Sequence, residues 1–292
     1  MYGGEVDMRK VAIISDSTCD LSIELLEKYQ ITTVPLHIHL GEEEYSDGIN
    51  ITPEQIYEWS DANKATPKTS ALSPFEAKEC LEKQLVVYEE VICFCISEEM
   101  SSCANVIRMA AADMEVEDKV LVINSKSLST GIGLQLIEAA ILADQGKTGK
   151  EIEAHILQIQ PFVRASFIVD TLTYLHRGGR CSGVTALVGS TLKLHPYISV
   201  VDGKMQPGKK YRGKMDKVIL EYVEDLIPAL LKAHKERVFI THSGCEESIL
   251  QKVKEQLEKL QYFNEIVVTR AGSVVTSHCG PGTLGVLFIA GE

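Results

Sequence analysis

Val11-Ala12-Ile13-Ile14-Ser15-Asp16-Ser17-Thr18 is an unbroken apolar run closed by a polar turn. Four apolar residues are too few for a helix and lack the alternation of a half-exposed strand, so the run reads as a strand covered on both faces. The same form returns at Val91 to Ile96 and at Val120 to Ile123. Between these runs, Pro74 to Gln84, Ser101 to Ala112 and Gly131 to Gln145 carry apolar residues at helical spacing. Short buried strands alternating with helices spell successive β-α units, hence an α/β fold around a parallel sheet with helices on both faces.

Working outward, Val34, Leu36, Ile38 and Leu40 alternate with Pro35, His37 and His39, which predicts one strand with a polar face, near a sheet edge. His37 and His39 share that face, and with no third ligand placed beside them they read as exposed strand histidines rather than a metal pair. A break near Pro161 opens a second region. Strands are expected there at Ser166 to Val169, Tyr197 to Val201, Val238 to His242, Ile266 to Thr269 and Val274 to Thr276, with helices around Lys214 to His234 and Glu247 to Leu260. Asp202-Gly203 between two β-prone pairs is a hairpin signal, so this second sheet should be mixed. The division is 1–160 and 161–292.

The chain has 292 residues, 45% of them hydrophobic, enough to bury two cores. Its formal charge of −12 argues against a nucleic-acid partner, since phosphate binding needs clustered Lys and Arg. No segment reaches the roughly 18 apolar residues of a membrane span, and no charged-then-apolar leader is evident. A cytoplasmic protein is expected. The eight cysteines are scattered. Cys93 and Cys95 share a strand face without a second ligand pair, so buried reduced thiols are expected rather than a zinc site.

Several motifs could carry chemistry. Asp16-Ser17-Thr18 follows the first strand, where an α/β sheet offers its loops to a ligand, although a helix cap would use the same residues, with Asp20 a further candidate. Thr69-Ser70 sits between Pro67 and Pro74, where hydroxyls serve either as turn residues or as uncharged donors to an anion, and Ser73 can cap the helix starting at Pro74. Ser101 follows the Val91 to Ile96 strand as a candidate cap beside free backbone N–H groups. Gly131 and Gly133 form an incomplete dinucleotide fingerprint and read as close helix–sheet packing. His176-Arg177-Gly178-Gly179-Arg180 and Lys209-Lys210-Tyr211-Arg212-Gly213-Lys214 are basic clusters, either solvated surface or sites for a phosphate-bearing product or an acidic partner. His278, read as ending a strand, precedes Gly280-Pro281-Gly282, where a backbone can approach a ligand.

Together, Asp16-Ser17-Thr18, Thr69-Ser70, Gly178-Gly179-Arg180 and His278-Cys279-Gly280-Pro281-Gly282 are spaced as in the DegV family of fatty-acid-binding proteins. The chain resembles that family from about Lys10 to Phe288. The resemblance implies a parallel-sheet N-terminal lipid-binding domain and a mixed-sheet C-terminal domain closing the head-group site. It implies that Thr69, Ser70, Ser101 and His278 bind the carboxylate of a long-chain fatty acid, with Asp16, Ser17, Gly280 and Gly282 in the surrounding loops. Where the family has Leu-Ser-Gly-Thr, this chain keeps Ser101 and places Ser102 and Cys103. Arg180 and Arg212 match arginines that engage a fatty-acid kinase with a dihydroxyacetone-kinase-like domain. The implied protein is a carrier, a monomer when free, with no metal or cofactor, and not an enzyme. A Ser101–His278 hydrolase acting on acyl esters is the alternative, weakened by the missing G-x-S-x-G elbow.

Overall fold

The computed structural model describes residues 9–181, 183–184 and 194–291. The expected parallel sheet is present. It comprises β1 (Val11–Asp16), β2 (Ile31–Val34), β6 (Glu90–Cys95) and β7 (Val120–Asn124) in the order β2-β1-β6-β7. All six β1 residues are buried, as the opening run requires. Around the sheet lie α1 (Ile23–Lys28), α2 (Pro53–Asn63), α3 (Pro74–Leu85), α4 (Cys103–Asp113), α5 (Thr130–Asp144) and α6 (Gly149–Ile159). Ser73 caps α3 in a reciprocal box with Glu76, which fixes where that helix begins.

The stretch from Val34 to Leu40 is not one strand. Pro35 has no N–H for the ladder, and β2 ends just before it. The chain then starts β3 (His37–Leu40), which lies between β4 (Glu43–Ser46) and β5 (Lys68–Ser70) in a separate antiparallel sheet. β3 is therefore central rather than at an edge, and His37 is buried rather than exposed. Carboxylates also stand beside it, since His37 Nε2 lies 2.9 Å from Glu76 and Nδ1 lies 3.6 Å from Glu44.

The second sheet is mixed. Its strands are β8 (Val163–Ile168), β9 (Leu194–Val201), β10 (Lys204–Arg212), β11 (Ala233–His242), β12 (Glu265–Arg270) and β13 (Leu284–Ala290), in the order β10-β9-β8-β13-β11-β12. Only β11 and β12 run parallel. Asp202 and Gly203, at φ of 48° and 80°, make the expected two-residue hairpin between β9 and β10. The accompanying helices are α7 (Thr173–Gly178), α8 (Met215–Leu230), α9 (Glu247–Glu258) and α10 (Ser273–Cys279). The predicted helix to His234 stops at Leu230, because Ala233 and His234 already belong to β11.

One further expectation fails in a way that matters for the site. Val274 to Thr276 lies within helix α10, not in a strand, so His278 closes a helix. Joining the two sheets is α5, buried on nearly every side, as expected of a helix that is apolar all round. It packs on Ile92 and Phe94 of the first sheet and on Phe239 and Leu287 of the second. A Cβ at Gly133 would come within 2.7 Å of Leu21, so this glycine serves close packing, though against the segment that follows β1 rather than against the sheet.

Candidate functional site

Thr69 is placed by β5, where it pairs with Ile38 of β3. His278 is placed by α10. The two meet across 209 positions of sequence, with Thr69 Oγ1 2.8 Å from His278 Nε2. The opposite ring nitrogen, Nδ1, is buried and finds no hydrogen-bond partner among the described residues. It faces Gly178, where a Cβ would stand only 2.4 Å away. The Gly178-Gly179-Arg180 motif is thereby explained in part, because only glycine lets α7 close over the imidazole.

Beside this pair opens a cavity of about 230 Å3. Its polar lining is Thr69, Ser70, Ser101, Ser102, Arg180 and His278, and of these Arg180 stands with the Thr69–His278 pair at a polar end. Its body is apolar, with Leu36, Ile96, Met100, Leu128, Met205 and Val275 in the wall. Burial, reinforced by the positive charge of Arg180, lowers the His278 pKa to about 4. The imidazole is accordingly neutral at pH 7, and the fixed positive charge at this end of the cavity is the Arg180 guanidinium. That side chain is exposed, and its Nη1 donates to the Gly178 carbonyl at 2.7 Å. An apolar cavity ending in a hydroxyl, a neutral imidazole and a guanidinium is suited to an amphipathic anion.

A family model described as an uncharacterised protein of the DegV family matches residues 10–291. The chain belongs to the DegV family. A DegV domain-containing protein of Deinococcus radiodurans is 33% identical over 277 residues, spanning 94% of this chain and 97% of that protein. Among solved structures, a DegV family protein from Thermus thermophilus, described by its fatty-acid binding, superposes with a TM-score of 0.87 at 26% identity, covering 96% of this chain and 99% of its own. DegV of Bacillus subtilis, described as a fatty-acid-binding protein, gives 0.82 at 26% identity and covers 97% and 99%.

Not every residue singled out from the DegV motifs reaches the cavity. Asp16 is buried behind it, with Oδ1 accepting from Thr18 N and Oγ1 and Oδ2 accepting from Ile96 N. Its role is to tie β1 to the end of β6. Ser17 donates to Asp47 at 2.8 Å and accepts from Leu36 N, also away from the cavity wall. Gly280 and Gly282 hold the turn after α10 at φ of 75° and 70°, packed on Tyr174 and Asp170. Ser70 Oγ lies 3.0 Å from His39 Nε2. Ser101 lies one residue ahead of the N-cap position of α4, which is Ser102. The helix starts at Cys103, and Ser101 Oγ accepts from Cys103 N at 3.3 Å. Arg180 sits on the cavity wall, whereas Arg212 is exposed at the end of β10.

Among the described residues, the side chains of Asp16, Cys95 and Cys103 form the one group with metal-ligand character, their atoms within 4.8 Å of one another. The Asp16 oxygens are already engaged, and contact with Cys95 together with burial pushes the Cys103 thiol upward. Neutral packed thiols result. Two polar residues that the sequence reading passed over or underweighted are Asp47 and Asp20, which hold α10 from its other end.

Proposed function

We propose that this chain binds a long-chain fatty acid, with its carboxylate at Thr69 and Arg180 and its acyl chain in the apolar cavity. The observation that carries this reading is the Thr69–His278 pair at the polar end of an otherwise apolar cavity. With Nε2–H of the neutral imidazole donating to Thr69 Oγ1, the threonine proton is free to donate to a carboxylate oxygen. That tautomer leaves Nδ1 as an unprotonated nitrogen against Gly178, which needs no acceptor.

Apolar burial supplies most of the affinity. About fourteen methylenes at about 0.8 kcal/mol each provide on the order of 11 kcal/mol before association costs. Each head-group hydrogen bond adds about 1 kcal/mol net, so Thr69 and Ser101 chiefly orient the carboxyl group. A cavity of about 230 Å3 is only about half as large again as the roughly 150 Å3 that encloses a benzene, far short of a long acyl chain. Full occupancy by a long chain therefore requires side chains to move. Leu128, Val275 and Cys279 separate the cavity from a second, mainly apolar one of about 30 Å3, and these are the residues expected to swing aside.

The carrier then presents the carboxyl group to a fatty-acid kinase that forms the acyl phosphate, with Arg180 and Arg212 on the partner-facing side. Eight unbridged cysteines favour a reducing, cytoplasmic setting for that role. No helix among the described residues is long and apolar enough to cross a membrane. The hydrolase alternative loses ground, because the hydroxyl on the His278 imidazole is that of Thr69 and, among the described residues, Nδ1 has no carboxylate to orient it.

Denaturing extraction of purified protein followed by mass spectrometry tests the reading. Close to one acyl chain per protein is expected. Lipid-free protein that also ignores added fatty acids would remove it.

A further inference from the structure

Helix α10 is only seven residues long, yet its C-terminal turn carries His278 and its side contributes Val274 and Val275 to the cavity. Its N-terminal N–H groups receive no cap from its own segment. They are met instead by two carboxylates from the first fifty residues. Asp20 Oδ1 accepts from Gly272 N at 2.8 Å, and Asp47 Oδ1 accepts from Ser273 N at 2.8 Å. The remaining oxygen of each is tied to the body of the protein. Asp20 Oδ2 lies 2.5 Å from Ser129 Oγ, a contact that holds one shared proton because burial raises this acid to about 8, and Asp47 Oδ2 accepts from Ser17 Oγ at 2.8 Å. Both acids are buried.

These four bonds form a two-pronged clamp, and the local backbone is built to fit it. A Cβ at Gly272 would stand 3.3 Å from both Asp47 oxygens and 3.4 Å from Asp20 Oδ1, so a glycine lets the carboxylates approach. Ser129, the other anchor of Asp20, holds φ 54° and ψ −143°, a conformation that a residue with a side chain rarely adopts. Burying two acids is costly unless they are fully hydrogen-bonded, and here one oxygen of each binds the start of the same short helix while the other binds the body of the protein.

We propose that Asp20 and Asp47 are positioning residues for the ligand site, setting the place of α10 so that His278 at its far end meets Thr69. This rests on the reading that the Thr69–His278 end of the cavity receives a carboxyl group. Neither acid lines that cavity. Their action passes through the helix.

The test follows the imidazole first and the ligand second. Protein labelled with 13C at histidine Cε1 is titrated without ligand in the wild type and in Asp47→Ala, Asp47→Asn and Gly272→Ala. The clamp reading expects the His278 titration in Asp47→Ala to move up towards the ordinary histidine range, as the ring loses its enclosed seat. Asp47→Asn keeps an oxygen for Ser273 N–H and should restore most of the wild-type behaviour. Gly272→Ala, which presses on the carboxylates without removing them, should shift His278 in the same direction as Asp47→Ala and keeps the test open if that variant does not fold.

Carboxyl-13C palmitate is then added. Its bound carboxyl resonance should change in Asp47→Ala and in Thr69→Ala, with the double variant adding little to either. Lowered thermal stability with an unmoved His278 titration, or additive effects in the double variant, would overturn the positioning role. Wild-type protein that takes up no palmitate would instead count against the proposed function, and the His278 titration would still decide the clamp.

Discussion

Gly178 and His278 are packed so closely that a single methyl group on Gly178 would come within 2.4 Å of the imidazole Nδ1. The contact joins α7, which leads into Arg180, to α10, which carries the histidine. Three motifs that are far apart in the chain, Thr69-Ser70, Gly178-Gly179-Arg180 and His278-Cys279-Gly280, therefore share one small volume. None is complete without the others.

The first prediction concerns that contact. Gly178→Ala must push the imidazole off Gly178 or displace α7, an overpacking that costs roughly 1 to 3 kcal/mol. A lower melting temperature and weaker fatty-acid binding are both expected, measured by thermal unfolding and by titration with a fluorescent fatty acid. Gly179, with nothing within 4 Å of a Cβ but a φ of 69°, should instead cost only backbone strain when replaced. Equal ligand-binding losses at the two glycines would show that the His278 contact has no special weight.

Removing the hydroxyls should separate orientation from affinity. Thr69→Ala deprives His278 Nε2 of its partner as well as the ligand of a donor, so it should cost more than Ser101→Ala, within roughly 1 to 3 kcal/mol for an unpaired buried group. Isothermal titration with a saturated fatty acid measures both. Indistinguishable affinities for both variants and the wild type would take these hydroxyls out of the site.

How much of this was legible beforehand depends on how local the cause is. The strands β1, β6 and β7 could be read because burial on both faces demands continuous apolar runs, and the hairpin because Asp202-Gly203 suits positive φ. Helix α10 could not. Val274-Val275-Thr276 is β-branched and favours a strand, and the helix is capped by Asp20 and Asp47, more than 220 positions away. The burial of His37 escaped for the same reason, since Glu76 reaches it from α3. Thr69, Ser101 and His278 were singled out through the family resemblance and do line one cavity, but the Thr69–His278 contact had no signal in the sequence. Arg180 was expected to face a partner, and its place on the cavity wall follows from the Gly178 contact.

Acidity should act on two groups in opposite directions. Burial and Arg180 lower His278 to about 4, below the ordinary 6.5. The unfolded chain therefore gains this proton first as pH falls, and stability is lost between about 6.5 and 4, on the order of 3 kcal/mol at the limit. Burial raises Asp20 to about 8, so the folded state binds that proton first. Its contribution grows as pH falls from about 8 towards 4. Between 4 and 6.5 the two effects offset each other. Denaturant unfolding of wild type and His278→Gln across pH 4 to 8 isolates the histidine part. The stability difference in favour of wild type should shrink below pH 6.5, and a pH-independent difference would contradict the assignment.

Chain length should be set where the two cavities adjoin. Val275→Ala trims the partition and should move the extracted acyl profile towards longer chains, each further buried methylene contributing about 0.8 kcal/mol. Ala271→Leu fills the smaller cavity and should move it towards shorter ones. Identical acyl distributions from both variants and wild type, measured by mass spectrometry, would place the chain terminus elsewhere.

The two arginines should divide. Arg180 lines the cavity beside His278, so its guanidinium can serve the bound carboxylate as well as a partner. Arg212 is exposed at the end of β10, outside the cavity wall. Arg180→Ala is therefore expected to weaken binding of a fatty acid more than that of its uncharged methyl ester. Arg212→Ala should leave both affinities close to wild type while reducing acyl-phosphate formation with a cognate kinase. Charge reversal to Glu should deepen each effect without exchanging them. Parallel loss of lipid in both variants would assign Arg212 to the fold or the pocket, and full kinase coupling in Arg212→Glu would remove it from the docking surface.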